Sequence, residues 1–228
     1  MSVKPILFSA PMVRALLEGR KTQTRRVLKP TKRDAECLMW LEFPEGREFY
    51  NGCADGSHVW PDGNEYPITL PYAPGDLLWV KENHRLVECD CTETCRVPGM
   101  AYYDADLSGY QAANLNKLRP SIFMPRWASR LTLEVTGVKV ERLQEISNDD
   151  ALAEGVTRIR DNCHAIKGFD YDLSGLCHTS PVTPYAKLWD HLNGPGSWGA
   201  NPFVVAVTFQ VHQQNVDAYL AQHKDRAA

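Results

Sequence analysis

The sequence predicts an α+β protein built on a small mixed β-barrel, with short flanking helices and long irregular insertions. Three observations carry this expectation. Short strand candidates outnumber strong helices, Leu131 to Val140 alternates and then slips phase at Gly137, and Phe203 to Val211 is almost continuously apolar. A bent alternating strand beside a doubly buried one suits a curved sheet, and the shortage of long amphipathic helices argues against a doubly wound sheet.

Along the chain, Ser9 reads as an N-cap, with Pro11 and apolar Val13, Leu16 and Leu17 at helical spacing and Gly19 as the stop. The helix delivers the chain into Arg20-Lys21-Thr22-Gln23-Thr24-Arg25-Arg26-Val27, whose threonines and valine favour an extended backbone. Residues 29–72 hold Pro, Gly, Asp, Asn and isolated aromatics without a sustained period. Pro74-Gly75-Asp76 is a turn that launches a buried strand, Leu77 to Val80, and 84–128 is a second irregular stretch. Leu131, Leu133 and Val135 share a face, and Val138 and Val140 resume it after Gly137, which predicts a β-bulge. Ser147 opens a short helix with Asp150 in the capping-box position and Gly155 as its end. Thr183-Pro184 opens another, with Tyr185, Leu188, Trp189 and Leu192 on one face, stopped at Asn193-Gly194. The reading is therefore one domain over 1–212, with insertions at about 29–72, 84–128 and 157–182, and a polar, partly helical tail over 213–228.

The 228 residues are 43% hydrophobic, which suffices for a sizeable core. No apolar run nears the ~20 residues needed to span a bilayer, and Met1-Ser2-Val3-Lys4-Pro5 has no signal-peptide character, so a cytoplasmic location without membrane contact is expected. Seven unevenly spaced cysteines suggest reduced thiols or metal ligands rather than a disulfide scaffold. Cys89, Cys91 and Cys95 lie close together in a turn-rich stretch. They are either a structural zinc clip, with His84, Cys37, Cys53, Cys163 or Cys177 as a fourth ligand, or free thiols. No His-x-Glu or His-Glu-x-x-His pattern points to a catalytic metal, so catalysis is expected to need no cofactor.

The net charge of −3 conceals an asymmetry: residues 14–33 carry eight Lys or Arg against the single acid Glu18, so this segment is +7 and the remainder −10. Such a stripe is either a solvated basic edge or a site for an anionic ligand. Trp79 and Trp189 sit in apolar patterns that suit core packing. Trp127, between Arg126 and Arg130, is the better candidate for stacking on a nucleobase.

Gly19-x-Lys21-x-x-x-x-Arg26 after a short helix, the Pro74-Gly75-Asp76 turn before a strand, and the Asp149 to Val156 helix together resemble the ASCH domains, PUA-like β-barrels associated with RNA. The segments Pro120 to Arg130 and Gly194-Pro195-Gly196-Ser197-Trp198 are similar to those of the long ASCH proteins of bacteriophages and prophages. The shared portion is roughly 5–28, 73–83, 129–156 and 184–212, about half of the chain. Some small bacterial relatives hydrolyse N4-acetylcytidine with a lysine, a threonine three residues later and a glutamate on the later helix. The resemblance places those roles on Lys21, Thr24 and Glu154; Gly19, Arg25 and Arg26 of the basic segment, with Arg126 and Trp127, are the expected substrate or RNA contacts.

The chemistry has its own logic. A threonine hydroxyl is inert at neutral pH and needs a base, and a lysine serves if burial or neighbouring cations depress its pKa; a glutamate can then relay the proton to the leaving nitrogen. In a regular strand Lys21 and Thr24 would face opposite ways, so an irregular turn after Gly19 is required. The alternatives are a non-catalytic RNA-binding module, in which Lys21 is only a charge, and a ribonuclease pairing Lys21 with a tyrosine. Taken singly, Thr24 is equally a β-favouring residue and Glu154 a solvated last-turn acid.

Overall fold

In the computed structural model, residues 1–30, 37–43, 46–52, 57–87, 100–107, 117–160, 163–165 and 178–224 are described. The strands are β1 (Val3–Leu7), β2 (Gln23–Val27), β3 (Cys37–Phe43), β4 (Gly46–Gly52), β5 (Leu77–Lys81), β6 (His84–Val87), β7 (Met100–Tyr103), β8 (Thr132–Arg142), β9 (Thr157–Arg160), β10 (Cys163–Ala165) and β11 (Phe203–His212). The helices are α1 (Ala10–Leu17), α2 (Asn148–Ala153), α3 (Val182–Asn193) and α4 (Val216–Lys224).

β1, β5, β8, β11 and β2 form one five-stranded sheet in that order, antiparallel except for the β1–β5 pair. The α+β class holds, but backbone pairing does not close the sheet into a barrel: among the described residues β1 and β2 remain its two edges. Sequence neighbours joined by α1 thus end at opposite edges of a curled sheet. One side chain bridges the seam between them, Arg26 Nη2 donating to the Leu7 carbonyl at 2.8 Å.

Alternation explains the core. On β11, Val205, Val207 and Phe209 join Val13 and Leu16 of α1 and Leu131, Leu133 and Val135 of β8 inside the curl. Val204 faces the other way, into a second cluster with Leu143, Ile146, Ala151, Tyr185, Leu188 and Trp189. A strand covered on both faces reads as an unbroken apolar run. β5 is covered likewise: Leu78 and Val80 face the interior, while Leu77 and Trp79 pack against Val216 and Tyr219. The tail expected to be a polar appendage therefore supplies a docked helix, α4, as an outer lid on β5.

The bulge falls where the phase slip put it. Thr208 pairs with Gly137 and Phe209 with Val135, leaving Thr136 as the extra residue. α2 begins with the expected reciprocal cap between Ser147 and Asp150. The insertions are more ordered than their composition implies, because each holds a hairpin: β3–β4, β6–β7 and β9–β10. Among the described residues none of these hairpins joins the five-stranded sheet, so no long period marks them in sequence. The first is anchored by Phe49, which meets Phe203 edge-on with centroids 5.0 Å apart. No described helix is long and apolar enough to cross a membrane.

Candidate functional site in the open seam

The unclosed seam is a cleft of about 370 Å³. The end of β1 and start of α1 (Leu7, Phe8, Ser9, Met12), the body of β2 (Thr24 to Val27), Glu154, and the face of α3 carrying Tyr185, Leu188 and Trp189 line it, with Asn83 and Ser121. Its size lies within the range of small-molecule sites.

Local backbone geometry sets Lys21. Gly19 adopts a left-handed φ of 70° that favours glycine, and the N–H groups of Arg20 and Lys21 both donate to the Ala15 carbonyl at 2.9 and 3.0 Å. Lys21 then forms an isolated bridge with Glu154, before β2 begins at Gln23. Lys21 thus lies outside the regular strand and escapes its alternation. Glu154 caps the C-terminus of α2, and Gly155 behind it has φ 105°.

Lys21 is wholly buried, and its Nζ donates to the Glu154 carbonyl at 3.0 Å and to Glu154 Oε2 at 2.6 Å. Burial lowers the Lys21 pKa from the ordinary ammonium value. Glu154 opposes that shift, and the Arg26 and Arg25 cations reinforce it. Thr24, also buried, lines the cleft with Glu154, while the hydrogen bonds of Lys21 go to Glu154 rather than to Thr24.

Arg25, expected as a substrate contact, lines the cleft with its guanidinium engaged by carboxylates. Its Nε and Nη2 donate to Glu141 Oε1 at 2.9 and 2.7 Å, Nη1 donates to Glu154 Oε1 at 3.2 Å, and Nη2 lies 3.2 Å from Asp150. Burial works against its charge, but Glu154, Tyr185 and Glu141 outweigh that and raise its pKa. Lys139 stands 2.7 Å from Glu141 Oε2, an ion pair without an aligned hydrogen bond. Arg25 is thus the buried centre of a charge network.

Part of the basic segment is therefore matched within the protein. Arg20 pairs with Glu18, Arg14 donates to the Ala105 carbonyl, and Lys21 and Arg25 are matched by Glu154, Glu141 and Asp150. Arg26 is the cleft cation with no carboxylate partner among the described residues; it lies 5.5 Å over the Phe8 ring.

Of the residues expected at the site, Thr24, Arg25, Arg26 and Glu154 line the cleft, Lys21 is bonded to Glu154, and Gly19 acts through the turn. Arg126 and Trp127 do not line it. Arg126 is paired with Asp217 of α4 at 2.6 Å, and Trp127 is 43% exposed on the neighbouring 3-10 turn. Leu192, expected on a buried face, is 46% exposed at the cleft rim, whereas Trp189 both packs in the core and lines the cleft. Cys89, Cys91 and Cys95, expected to clip zinc, lie outside the described residues. His84 is buried with Nδ1 3.2 Å from the Glu82 carbonyl, and among the described residues no metal-binding group forms.

Sequence reading missed the support of Glu154. Tyr185 is buried beside it, its hydroxyl donating to Glu154 Oε1 at 3.3 Å. Burial first, and then Glu154, push its pKa well up, so the phenol stays protonated. A tyrosine in an apolar helix face was a usable signal, since a buried phenol demands a partner. Nothing comparable marked Glu141, Asn83 or Ser121. No protein-family model, no curated protein and no solved structure matches the chain.

Proposed function

We propose that the chain is an ASCH-type, PUA-like protein whose cleft binds an N4-acylated pyrimidine nucleoside and hydrolyses its amide, N4-acetylcytidine being the type substrate. The observation that carries this reading is the buried Lys21–Glu154 pair, 2.6 Å apart, whose Glu154 lines a cleft together with Thr24. A lysine whose pKa is lowered by burial gives up its proton more readily than a solvated one, and a perturbed ionisable pair beside a cleft suits proton transfer.

In this mechanism neutral Lys21 takes the Thr24 hydroxyl proton as Oγ bonds to the acyl carbon. The proton passes to Glu154 Oε2 and on to the leaving nitrogen as the C–N bond breaks, freeing cytidine. Water then attacks the acyl-Thr24 ester by the same relay, giving acetate and restoring the hydroxyl. Arg25 and Tyr185 hold Glu154 through Oε1, which leaves Oε2 facing the amine. Internal neutralisation of Lys21 and Arg25 favours a small ligand over a polynucleotide read through its phosphates.

The test is release of cytidine and acetate from N4-acetylcytidine by the parent and by Lys21→Arg, Thr24→Ala and Glu154→Gln. Each variant is expected to lose at least about a hundredfold in kcat, and double variants little more, because members of one catalytic unit fail together. Parent-like turnover by Lys21→Arg and Thr24→Ala would exclude the mechanism. Absence of turnover in the parent would favour a binding module.

A further inference from the structure

We propose that Asn83 is a specificity-determining residue of this cleft, its Nδ2 donating a hydrogen bond to a ring carbonyl of a planar heterocycle such as the 2-oxo group of a pyrimidine. The inference rests on the cleft binding an N-acylated base, and it names the edge of that base that is read.

Asn83 follows β5 in a corner that hydrogen bonds fix on both sides. Its carbonyl accepts the Asp104 N–H at 3.0 Å, and the next residue, His84, exchanges two backbone bonds with Arg119 at 3.1 and 2.8 Å. Glu82 before it is buried and held by Arg130 Nε and Nη2 at 2.9 and 3.0 Å. The side chain is oriented as well, for the Ser121 N–H lies 3.0 Å from its amide. A backbone N–H can only donate, so the amide atom facing it is Oδ1, which leaves Nδ2 as the donor that the side chain has to offer. Nδ2 has no hydrogen-bond partner among the described residues, and both Asn83 and Ser121 line the cleft. A fixed amide with unspent N–H groups calls for an acceptor on the ligand.

Ligand chemistry supplies one. In an N4-acylcytosine the scissile amide and the 2-oxo group occupy different corners of one flat ring, so an acyl group placed at Thr24 and Glu154 leaves the carbonyl edge for another wall. Phe8, Leu188 and Trp189 offer apolar surface for the ring itself. An N6-acyladenine has no carbonyl besides that of the acyl group itself, so the same donor selects against acylated adenines.

The experiment compares N4-acetylcytosine with 4-acetamidopyrimidine, which lacks the 2-oxo group, on the parent, Asn83→Asp and Asn83→Ser. Asn83→Asp keeps the shape and the acceptor for Ser121 but removes the donor. The parent should prefer the oxo compound by about tenfold or more in kcat/KM, mostly through KM, because a site built to donate is left unpaired by the other ligand. In Asn83→Asp that preference should fall to about twofold, with thermal unfolding confirming a folded protein. If Asn83→Asp does not fold, the loss of preference is read in Asn83→Ser. A preference equal to the parent's in a folded variant overturns the assignment of Asn83. Failure of the parent to act on or bind either compound overturns the reading of the cleft, and this assignment with it.

Discussion

Lys21 and Glu154 illustrate how burial changes the meaning of a charge. Each leaves water almost completely, and each is compensated: the ammonium by a carboxylate and a helix-end carbonyl, the carboxylate by Lys21, Arg25 and Tyr185. Removing one member strands the other, which costs about 3–5 kcal/mol for buried pairs. Lys21→Ala is therefore expected to lower unfolding free energy by roughly 3 kcal/mol in urea titrations, with Lys21→Met combined with Glu154→Gln losing distinctly less. A double variant as unstable as Lys21→Ala would show that the pair is not the source of the loss. The residue types at Lys21, Thr24 and Glu154 were legible in the sequence, but their burial was not. Lys21 looked like part of a charged stripe because the acids that match the stripe, Glu141, Asp150 and Glu154, lie more than a hundred positions away along the chain.

The elements that aim the site are short, and glycines settle two of their junctions differently. At Gly155 the backbone has a positive φ, and an added Cβ would stand only 3.3 Å from Ala15 Cβ, which leaves little room for a side chain between α2 and α1. Gly155→Ala should cost about 1–3 kcal/mol, since it adds left-handed strain to close contact, and should reduce turnover by moving Glu154. At Gly137 an added Cβ meets only Thr208 Cβ at 3.8 Å, an ordinary contact. Gly137→Ala should therefore lie within about 0.5 kcal/mol of the parent by the same denaturation measurement. Equal losses at the two positions would contradict this account of the junctions. The helix caps and the bulge were readable because their signals are local: Ser147 with Asp150, and the phase slip at Gly137. The hairpins of the insertions were not, because strands such as β4 carry Gly at both ends and gain their order from a distant partner, Phe203.

At the scale of the molecule, the fold class followed from element order, whereas closure of the sheet depends on backbone pairing that no periodicity reports. In the proposed reading the open edge is what matters, since β1 and β2 leave between them the cleft that a closed ladder would fill. The proposed function also ties what enters to the charge balance around the cleft. With its buried cations matched internally, the cleft should bind N4-acetylcytidine with an affinity that changes less than about threefold as salt rises tenfold, in contrast to the steep loss of a phosphate-tracking site. A slope of several log units, measured calorimetrically, would contradict the small-ligand reading. The central claim is that Lys21, once its ammonium has lost a proton, acts as the base, and the pH dependence of kcat/KM for N4-acetylcytidine tests it most directly. Because only the deprotonated amine accepts the Thr24 proton, the rate should rise with pH through the lowered Lys21 pKa and level off below the ordinary lysine range. A rate that is flat or falls across that interval would contradict the account.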